Sequence, residues 1–499
     1  MSIPITGALA LILGIGLFLF RPRLLYPATI IAIPFTATAI VNFGWANAAG
    51  SWGRSLEAWQ FFFVLWVSRE ALSGRPPWHR AEWFTTRSAR KGLCAFLGVA
   101  FLSLSVPLVM NGTTWVLSPR PITDEMIPLR LTSYDFTQLG YLAFGLIFAA
   151  LIAAENSTPR RLYQTLRIYI ASCTFAAAWG LLELWCELTS HAYPAGIFNT
   201  STNISASGYE ETDVVGSFGN IGRLSSVSQE PSVLARLLLY AFVALIVCAA
   251  LRKPVFHRKW DLAAALLLAT TLLASTSSTA YFGIVIALLV AILALYRMGQ
   301  PVKVYAVITV GIVAAGVLVA KLVPLVNSVL TLFVLNKYET GSGAIRMHSV
   351  AIAINAFLSH PLLGMGWHNV NSYDLLFLIL ANTGLIGLIA FASFVFPVLR
   401  SLWLAARNRK AAAVVFLPVF LLAIFLAEAT SPTYVAGFFW LALGLGAGAA
   451  VAAKFEPPVE TAQRAIKEPR QYSEPRTRGS GRHVAFGLCL FKMASPSSR

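Results

Sequence analysis

Long apolar runs separated by short polar connections fill the chain from its first residues to about position 453. A bilayer core about 30 Å thick needs roughly 20 apolar residues of helix to cross it, and only a helix satisfies its own backbone hydrogen bonds in lipid. The pattern therefore predicts an all-α, polytopic integral membrane protein with about 13 transmembrane helices, in a range of roughly 12 to 14. The predicted spans are 4–20, 26–44, 55–68, 93–110, 136–154, 168–188, 232–250, 262–275, 280–296, 304–324, 375–399, 411–429 and 435–453.

Three polar segments are long enough to hold a functional site: 111–135, 189–231 and 325–374. We expect them to be long loops on the outer side of the membrane that contain short interfacial helices. Residues 1–453 then form one polytopic membrane domain. Residues 454–499 are rich in Pro, Glu and Arg without periodicity, which predicts a disordered basic cytoplasmic tail.

Composition supports this class. The chain is 57% hydrophobic and 12% charged with a mean hydropathy of +0.70, whereas soluble domains are about 25% charged. Most of the 38 Lys and Arg fall in alternate connections, which predicts an N-terminus on the outer side of the membrane and a C-terminus on the cytoplasmic side. The net charge of +17 then reflects topology and not nucleic-acid binding. The sequence contains no metal-ligand spacing, P-loop or dinucleotide fingerprint, so we expect no metal and no cofactor.

The second polar segment ends in an acid, a proline and the start of a helical run. Pro231 suits the first turn of a helix, which puts Glu230 at or beside the N-cap. Arg236 follows six residues after Glu230, about 9 Å deeper by the helical rise. An arginine inside a span costs a few kcal/mol on insertion scales. Arg236 is therefore expected to face a polar cavity or a partner.

Arg223 lies just before this helix, so two guanidinium groups flank its start. Arginine binds phosphodiester and diphosphate groups in bidentate fashion. The segment predicts an anion site with Arg223 and Arg236 as substrate-binding residues and Glu230 as the first candidate for a catalytic carboxylate. The alternative is that Glu230 only stabilises the helix start.

The third polar segment adds another cation. Arg346 stands near the start of a mostly apolar helical pattern that runs through Phe357 and stops at His360, beside Pro361. The short run favours an interfacial helix. Arg346 is then either a third anion-binding residue or a side chain reaching from the lipid boundary to water.

The remainder of this segment returns the chain to the membrane. Gly364 and Gly366 permit a tight turn there. His368 and Asp374 are the second and third candidates for a catalytic base. Asp374 stands at the start of the next span, where it is either a favourable helix-start acid or a site acid.

These motifs, in this order, resemble the O-antigen polymerase and O-antigen ligase superfamily over roughly residues 140–450. The resemblance implies an enzyme of the bacterial inner membrane, a glycosyltransferase that takes glycans from undecaprenyl diphosphate at the periplasmic face. It implies metal-independent, inverting transfer, with Arg223 and Arg346 holding the lipid diphosphate; Arg236 is added on physical grounds. The motifs are Arg223-Leu-Ser-Ser, Glu230-Pro-Ser-x-x-Ala, Ser275-Thr-Ser-Ser-Thr-Ala-Tyr-Phe-Gly283, Arg346, His360-Pro-Leu-Leu-Gly-Met-Gly-Trp367 and Asn382-Thr-Gly-Leu-Ile-Gly387.

Two departures favour a polymerase over a ligase. Ligases of this superfamily usually carry His followed by Asn, Ser or Gln, then nine residues and Gly-x-x-Gly. Counting back from Gly384 and Gly387 places that pair at Tyr373 and Asp374, so the histidine is absent in register, although His368 lies five residues upstream. Ligase-like members also often have Ser-Arg where this chain has Ser278-Thr279.

The expected function is therefore polymerisation of lipid-linked repeat units into O-antigen, capsule or exopolysaccharide. The first alternative is an O-antigen ligase that passes the glycan to lipid A core. A flippase or transporter of lipid-linked glycan is the alternative of another class, although no clear internal repeat supports it. The expected partners are the undecaprenyl-diphosphate-linked glycan and membrane lipid, together with a chain-length regulator and a flippase of the same pathway, and no nucleic acid.

Overall fold

Helices carry almost all of the regular structure in the residues that the computed structural model describes, which are 2–43, 54–74, 87–117, 126–201, 214–216, 219–221, 223–297, 341–429 and 436–457. Eight helices among them are long and apolar enough to cross a membrane. The prediction of an all-α, multi-pass membrane protein is confirmed. The eight candidate spans are Ala89–Met110, Ser133–Glu155, Pro159–Leu188, Pro231–Ala250, Ser278–Tyr296, Leu375–Arg407, Ala411–Ala429 and Gly437–Phe455.

The described helices are numbered in chain order. They are α1 (Ile5–Phe20), α2 (Leu25–Ala32), α3 (Ala58–Leu72), α4 (Arg87–Ser103), α5 (Ser105–Met110), α6 (Ser133–Glu155), α7 (Pro159–Leu188), α8 (Pro231–Ala250), α9 (Arg258–Ala274), α10 (Ser278–Arg297), α11 (Gly341–Ser359), α12 (Leu375–Arg407), α13 (Ala411–Ala429) and α14 (Gly437–Phe455). Single 3₁₀ turns occupy Pro22–Leu24 and Ala195–Ile197. Three antiparallel pairs of strands join β1 (Ala39–Phe43) to β2 (Arg54–Glu57), β3 (Trp115–Leu117) to β4 (Met126–Pro128), and β5 (Val214–Gly216) to β6 (Gly219–Ile221).

Three predicted spans form shorter helices than the eight long ones. Helices α1, α3 and α9 contain 16, 15 and 17 residues, respectively. The predicted span 304–324 lies outside the described residues. So does most of the predicted tail 454–499, although α14 continues to Phe455.

The prediction of a single span over 26–44 is wrong. Helix α2 ends at Ala32, the chain turns through Pro34, and Ala39–Phe43 then pairs with Arg54–Glu57. Proline cannot donate a backbone hydrogen bond. The segment after it runs back over the bundle, where the amide of Ala37 donates to the carbonyl of Val227 at 3.0 Å. Contacts with residues far away in the chain, and not the apolar composition of 26–44, therefore decide the structure of this segment.

The connections of the bundle alternate between its two ends. At one end, the Glu456 carboxylate accepts from Lys253 at 2.9 Å and from the Ala412 amide at 2.8 Å, and Lys410 donates to the Glu456 carbonyl. Three basic connections, after α8, after α12 and after α14, thus meet at this end. The other end contains the first residues of α3, α8, α12 and α14, and we call it the site end.

Helix α12 is broken, contrary to the continuous helix predicted for 375–399. Gly384 has φ +64° and ψ −165°, about 14 Å from the start of α12 by the helical rise. The amides of Leu385 and Ile386, released by the break, donate to the carbonyls of Pro361 and Leu362 at 2.9 and 3.3 Å. Non-helical backbone at membrane depth is tolerated where protein surrounds it. The segment before α12 supplies that surrounding protein.

A Cβ at Gly384 would overlap the Leu362 carbonyl, so only glycine permits this approach. The Met365 amide donates to the Ala381 carbonyl at 2.8 Å, and the Asn382 side chain bonds both the amide and the carbonyl of Val370. The turn that Gly364 and Gly366 were predicted to permit is present, since their φ angles are +66° and +94°. It enters the bundle and fills the break in α12.

Candidate functional site

Glu230 is the N-cap of α8, as predicted, with extended backbone and Pro231 at the first helical position. Its Oε2 accepts from the hydroxyl of Ser232 at 3.1 Å. The side chain is half-buried and makes no capping hydrogen bond to the helix backbone. Its carboxylate is thus positioned at the helix start by Pro231 and Ser232 and is not used as the cap acceptor.

Arg236 is buried in the first two turns of α8, with 2% of its surface exposed. Its Nε donates to the Ser232 carbonyl at 3.2 Å. The guanidinium carbon lies 5.3 Å from the centroid of the Phe438 ring, at the start of α14. A cation over an aromatic face contributes about 2 kcal/mol when desolvated. Ser232 therefore connects the Glu230 carboxyl to the Arg236 guanidinium.

Arg223 begins the loop that leads to Glu230. It is half-buried and within electrostatic range of the Tyr281 hydroxyl group on α10. Tyr281 belongs to the predicted motif that begins at Ser275. Helix α9 ends at Ala274, directly before this motif, and α10 begins within it at Ser278. The structure thus brings the motif that begins at Arg223 and the motif that begins at Ser275 together at the site end.

Loop 223–230 is held on both sides by hydrogen bonds. On one side, the Ser226 amide donates to Glu183 of α7 at 2.6 Å. Ser226 has φ +56°, a left-handed conformation that costs energy for a residue with a side chain and persists where surrounding contacts fix it. The Ser226 hydroxyl also donates to the Ala176 carbonyl at 2.6 Å.

The other side of this loop binds the turn after α2 and the start of α3. The Gln229 amide donates to Thr36 Oγ1 at 3.1 Å, and the Gln229 side chain donates to the Thr36 carbonyl at 2.8 Å and to Glu57 Oε1 at 3.1 Å. The Ser228 hydroxyl donates to the Pro34 carbonyl at 3.2 Å. The residue before Glu230 is therefore fixed by the N-terminal part of the chain.

Asp374 is the N-cap of α12 and accepts from the Phe377 amide at 3.0 Å. The carboxyl group of Glu428, near the end of α13, lies within electrostatic range of Asp374. Glu428 accepts from the Leu376 amide at 3.0 Å. The start of α12 thus brings two carboxyl groups together.

Arg346 lies on α11 next to this pair in the fold. Its guanidinium carbon is 5.5 Å from the centroid of the Tyr373 ring, one residue before Asp374. The Ser349 hydroxyl donates to the Arg346 carbonyl at 2.8 Å, and the Tyr373 amide donates to Ser349 Oγ at 3.3 Å. These bonds fasten the first turns of α11 to the residue before Asp374. Helix α11 is present as predicted, and its place in the membrane interface stays a prediction.

His368 has φ +66°, in the left-handed region that a non-glycine residue rarely adopts. Its Nε2 lies 3.0 Å from the Tyr134 hydroxyl, and the two rings are 5.4 Å apart. Tyr134 belongs to the first turn of α6. His360, in contrast, lies directly after α11 and fits its predicted role as a helix stop.

The six predicted residues thus form two groups at the site end. One surrounds the start of α8 and contains Arg223, Glu230 and Arg236; the other surrounds the start of α12 and contains Arg346, His368 and Asp374. In the first group, Arg236 packs against Phe438 of α14. In the second group, Asp374 lies near Glu428 of α13. Helices α13 and α14 are consecutive.

Three carboxylates of this site were missed by the sequence analysis. Glu428 and Glu183 lie inside spans, where an acid is a candidate functional residue by default, and this signal was present in the sequence. Glu57 forms a capping box with Gln60 at the start of α3, and the Glu-x-x-Gln spacing was also visible. Burial raises the pKa of Glu57 to about 7, although hydrogen bonds from Trp59 and Gln229 act in the opposite direction.

Residues 263–376 match a family model described as O-antigen ligase. The match runs from α9 to the start of α12 and includes Arg346, His368 and Asp374. No curated protein matches the chain. The match confirms the predicted resemblance to the O-antigen ligase and polymerase superfamily, and it supports a function of that general type in a membrane-embedded, multi-pass protein.

Proposed function

We propose that this protein polymerises a surface polysaccharide by transferring the growing glycan from undecaprenyl diphosphate to a new lipid-linked repeat unit. The proposal rests on one observation above all: the Arg346 guanidinium lies over Tyr373, immediately before the acid that begins α12. A cation for the diphosphate thereby packs against the residue before Asp374, one of the three candidate bases, inside the segment that matches the family model.

The chemistry needs few groups. The acceptor hydroxyl oxygen attacks the anomeric carbon, the bond from that carbon to the diphosphate oxygen breaks, and undecaprenyl diphosphate leaves. A carboxylate or imidazole takes the hydroxyl proton, and we assign this role to Glu230 first, with His368 and Asp374 as the other candidates. Arg223, Arg236 and Arg346 stabilise the negative charge that develops on the leaving diphosphate. Direct displacement inverts the anomeric centre.

The structure supports the choice of polymerase over ligase through Tyr373. This residue occupies the register position of the ligase histidine, and its ring packs against Arg346, so no imidazole is available there. The second candidate is an O-antigen ligase, because the matching family model has that description and His368 lies close by in the same loop. We place the reaction at the periplasmic face of the inner membrane, with the N-terminus on that side.

Product analysis tests the proposal. The purified protein is incubated with the undecaprenyl-diphosphate-linked repeat unit of its own host, with and without lipid A core, and the products are separated by gel and mass analysis. We expect a ladder of repeats without lipid A core. Transfer only in the presence of lipid A core would indicate a ligase. Movement of unchanged lipid across a vesicle membrane, without either product, would indicate a transporter.

A further inference from the structure

Glu57 lies outside the segment that matches the family model and outside the three polar segments predicted to hold the site. Its carboxylate nevertheless accepts from two distant parts of the fold. Oε1 accepts from Gln229 at 3.1 Å, and Oε2 accepts from the Trp59 indole at 2.6 Å. The backbone amide of Gln60 also donates to this side chain. All three of these contacts are donors to Glu57, which suits the ionised form.

Two sets of contacts connect this carboxylate to the group around α8. In the first, the carboxylate binds Gln229, the residue before Glu230. In the second, the carboxylate binds the Trp59 indole. Gly437 packs against this indole so closely that a Cβ at position 437 would lie 2.8 Å from it. Gly437 directly precedes Phe438, whose ring packs against Arg236. One acid thus touches the loop that carries Glu230 and the helix start that supports Arg236.

We propose that Glu57 is a positioning residue for this site: its ionised carboxylate fixes Gln229 and Trp59 together and thereby holds Glu230 and Arg236 in their working arrangement. The proposal rests on the proposed function for its kinetic consequence, whereas its structural consequence is independent of any activity.

Ionisation of Glu57 gives this arrangement a pH dependence. Burial raises the pKa of Glu57 to about 7. Above that pH both oxygens accept; below it one oxygen carries a proton and can no longer accept from Gln229 or Trp59. The groups that face the carboxyl are the Trp59 and Gln60 donors of α3 and the Gln229 amide of the loop, with Ala39 opposite in β1. The titratable residue next to them in the chain is Glu230. Because this pKa lies above that of an exposed glutamate, exposure of the side chain to water becomes less favourable as the pH falls. The two hydrogen bonds from Gln229 and Trp59 are present together only in the ionised form, so the rate of the reaction is expected to rise with pH through about 7.

The decisive variant is Glu57→Gln in the full-length protein. Glutamine puts an amide nitrogen, which only donates, in place of one of the two accepting oxygens, so either Gln229 or Trp59 loses its acceptor. Glu70→Gln is the matched control, because Glu70 lies on the same helix near its other end and no part of the argument uses it. Gln229→Met breaks the same contact from the loop side and keeps the side-chain length.

Two readouts are combined. Hydrogen exchange over residues 223–235, corrected for the intrinsic effect of pH, reports loop protection without requiring activity. At pH 8 we expect the wild-type protein and Glu70→Gln to show high protection of this segment, whereas Glu57→Gln and Gln229→Met show low protection. Ladder formation at pH 8 should fall by about tenfold or more in both variants, as expected for the loss of a charge-assisted hydrogen bond. The pH dependence of the rate should flatten in Glu57→Gln.

Combining the variants makes the test specific. The losses in the double variant should be smaller than the sum of the two single losses, because both changes remove the contact between Glu57 and Gln229. Gln229→Met also removes the bond to the Thr36 carbonyl, so it is expected to be the slower of the two single variants. Wild-type protection of 223–235 in Glu57→Gln at pH 8, or additive losses in the double variant, would overturn the proposal. If the wild-type protein forms no ladder, the proposed function fails, and the exchange data still decide the role of Glu57. If Glu57→Gln does not fold, Gln229→Met provides the same exchange and rate tests.

Discussion

Asp374 and Glu428 both bind the first turn of α12, although 54 positions separate them in the chain. Asp374 accepts from the Phe377 amide, and Glu428 accepts from the Leu376 amide. Two acids at one helix start are favoured by the helix dipole and opposed by their mutual repulsion. One of them, Asp374, directly follows Tyr373, whose ring packs against Arg346.

Substitutions of Glu428 should separate packing from charge. Glu428→Gln keeps an acceptor for the Leu376 amide, so we expect thermal stability close to that of the wild-type protein. Glu428→Ala leaves this amide without its partner, and the cost should be about 1–3 kcal/mol. Thermal unfolding in detergent measures the difference. Equal melting temperatures for the two variants would show that the hydrogen bond from Leu376 to Glu428 contributes nothing to the fold.

Substitutions of Asp374 should separate its capping role from chemistry. Asparagine caps helices about as well as aspartate, whereas alanine costs about 0.5–2 kcal/mol. Asp374→Asn should therefore unfold near the wild-type temperature and Asp374→Ala below it. If Asp374 takes the acceptor proton, both variants lose ladder formation. Full activity in Asp374→Asn would restrict Asp374 to the helix cap.

Glu230→Gln tests the first candidate for the base. The side chain accepts from the Ser232 hydroxyl and makes no capping bond to the backbone, so an amide can replace it with little effect on folding. General-base catalysis contributes about 10²–10⁴-fold, and we expect ladder formation to slow by that order at normal expression. Full polymer length and rate in Glu230→Gln would remove Glu230 from the mechanism and leave His368 and Asp374.

The break in α12 should tolerate only glycine. In Gly384→Ala, the left-handed backbone and the overlap with the Leu362 carbonyl act together, and strain of this kind costs about 1–3 kcal/mol before any overlap is counted. The control is Gly98→Ala in α4, where a Cβ meets nothing within 4 Å; alanine there favours the helix by up to about 1 kcal/mol. A melting temperature of Gly384→Ala at or above that of Gly98→Ala would contradict this account of the break.

Local chemistry explains which predictions succeeded. Pro231 begins α8 and Glu230 caps it because proline at a first helical position and an acid before it act within one turn of chain. The apolar spans after residue 133 that the structure describes form helices for a similar reason, since length and composition decide them where lipid excludes water. Gly364 and Gly366 adopt positive φ angles, which their residue type favours.

The failures concern contacts between segments far apart in the chain. Residues 26–44 are apolar enough for a span, but the segment after Pro34 binds loop 223–230 and Thr200 instead. The break at Gly384 exists because the loop at 361–366 supplies the missing hydrogen-bond partners. The sequence motifs predicted which residues belong to the site. They did not predict that these residues form two groups, one beside α14 and one beside α13. That division depends on how the helices pack, and no local sequence pattern encodes helix packing.

The central claim is that Arg346 binds the donor diphosphate beside the acid of α12. The most direct measurement compares initial rates of ladder formation for Arg346→Ala and Arg130→Ala, with the purified protein and its lipid-linked repeat unit over a range of donor concentrations. Arg130 is an exposed arginine two residues after β4 and serves as the control for charge. We expect loss of the ladder in Arg346→Ala and a near wild-type rate in Arg130→Ala. A wild-type ladder in Arg346→Ala, at donor concentrations that do not saturate the enzyme, would contradict the claim.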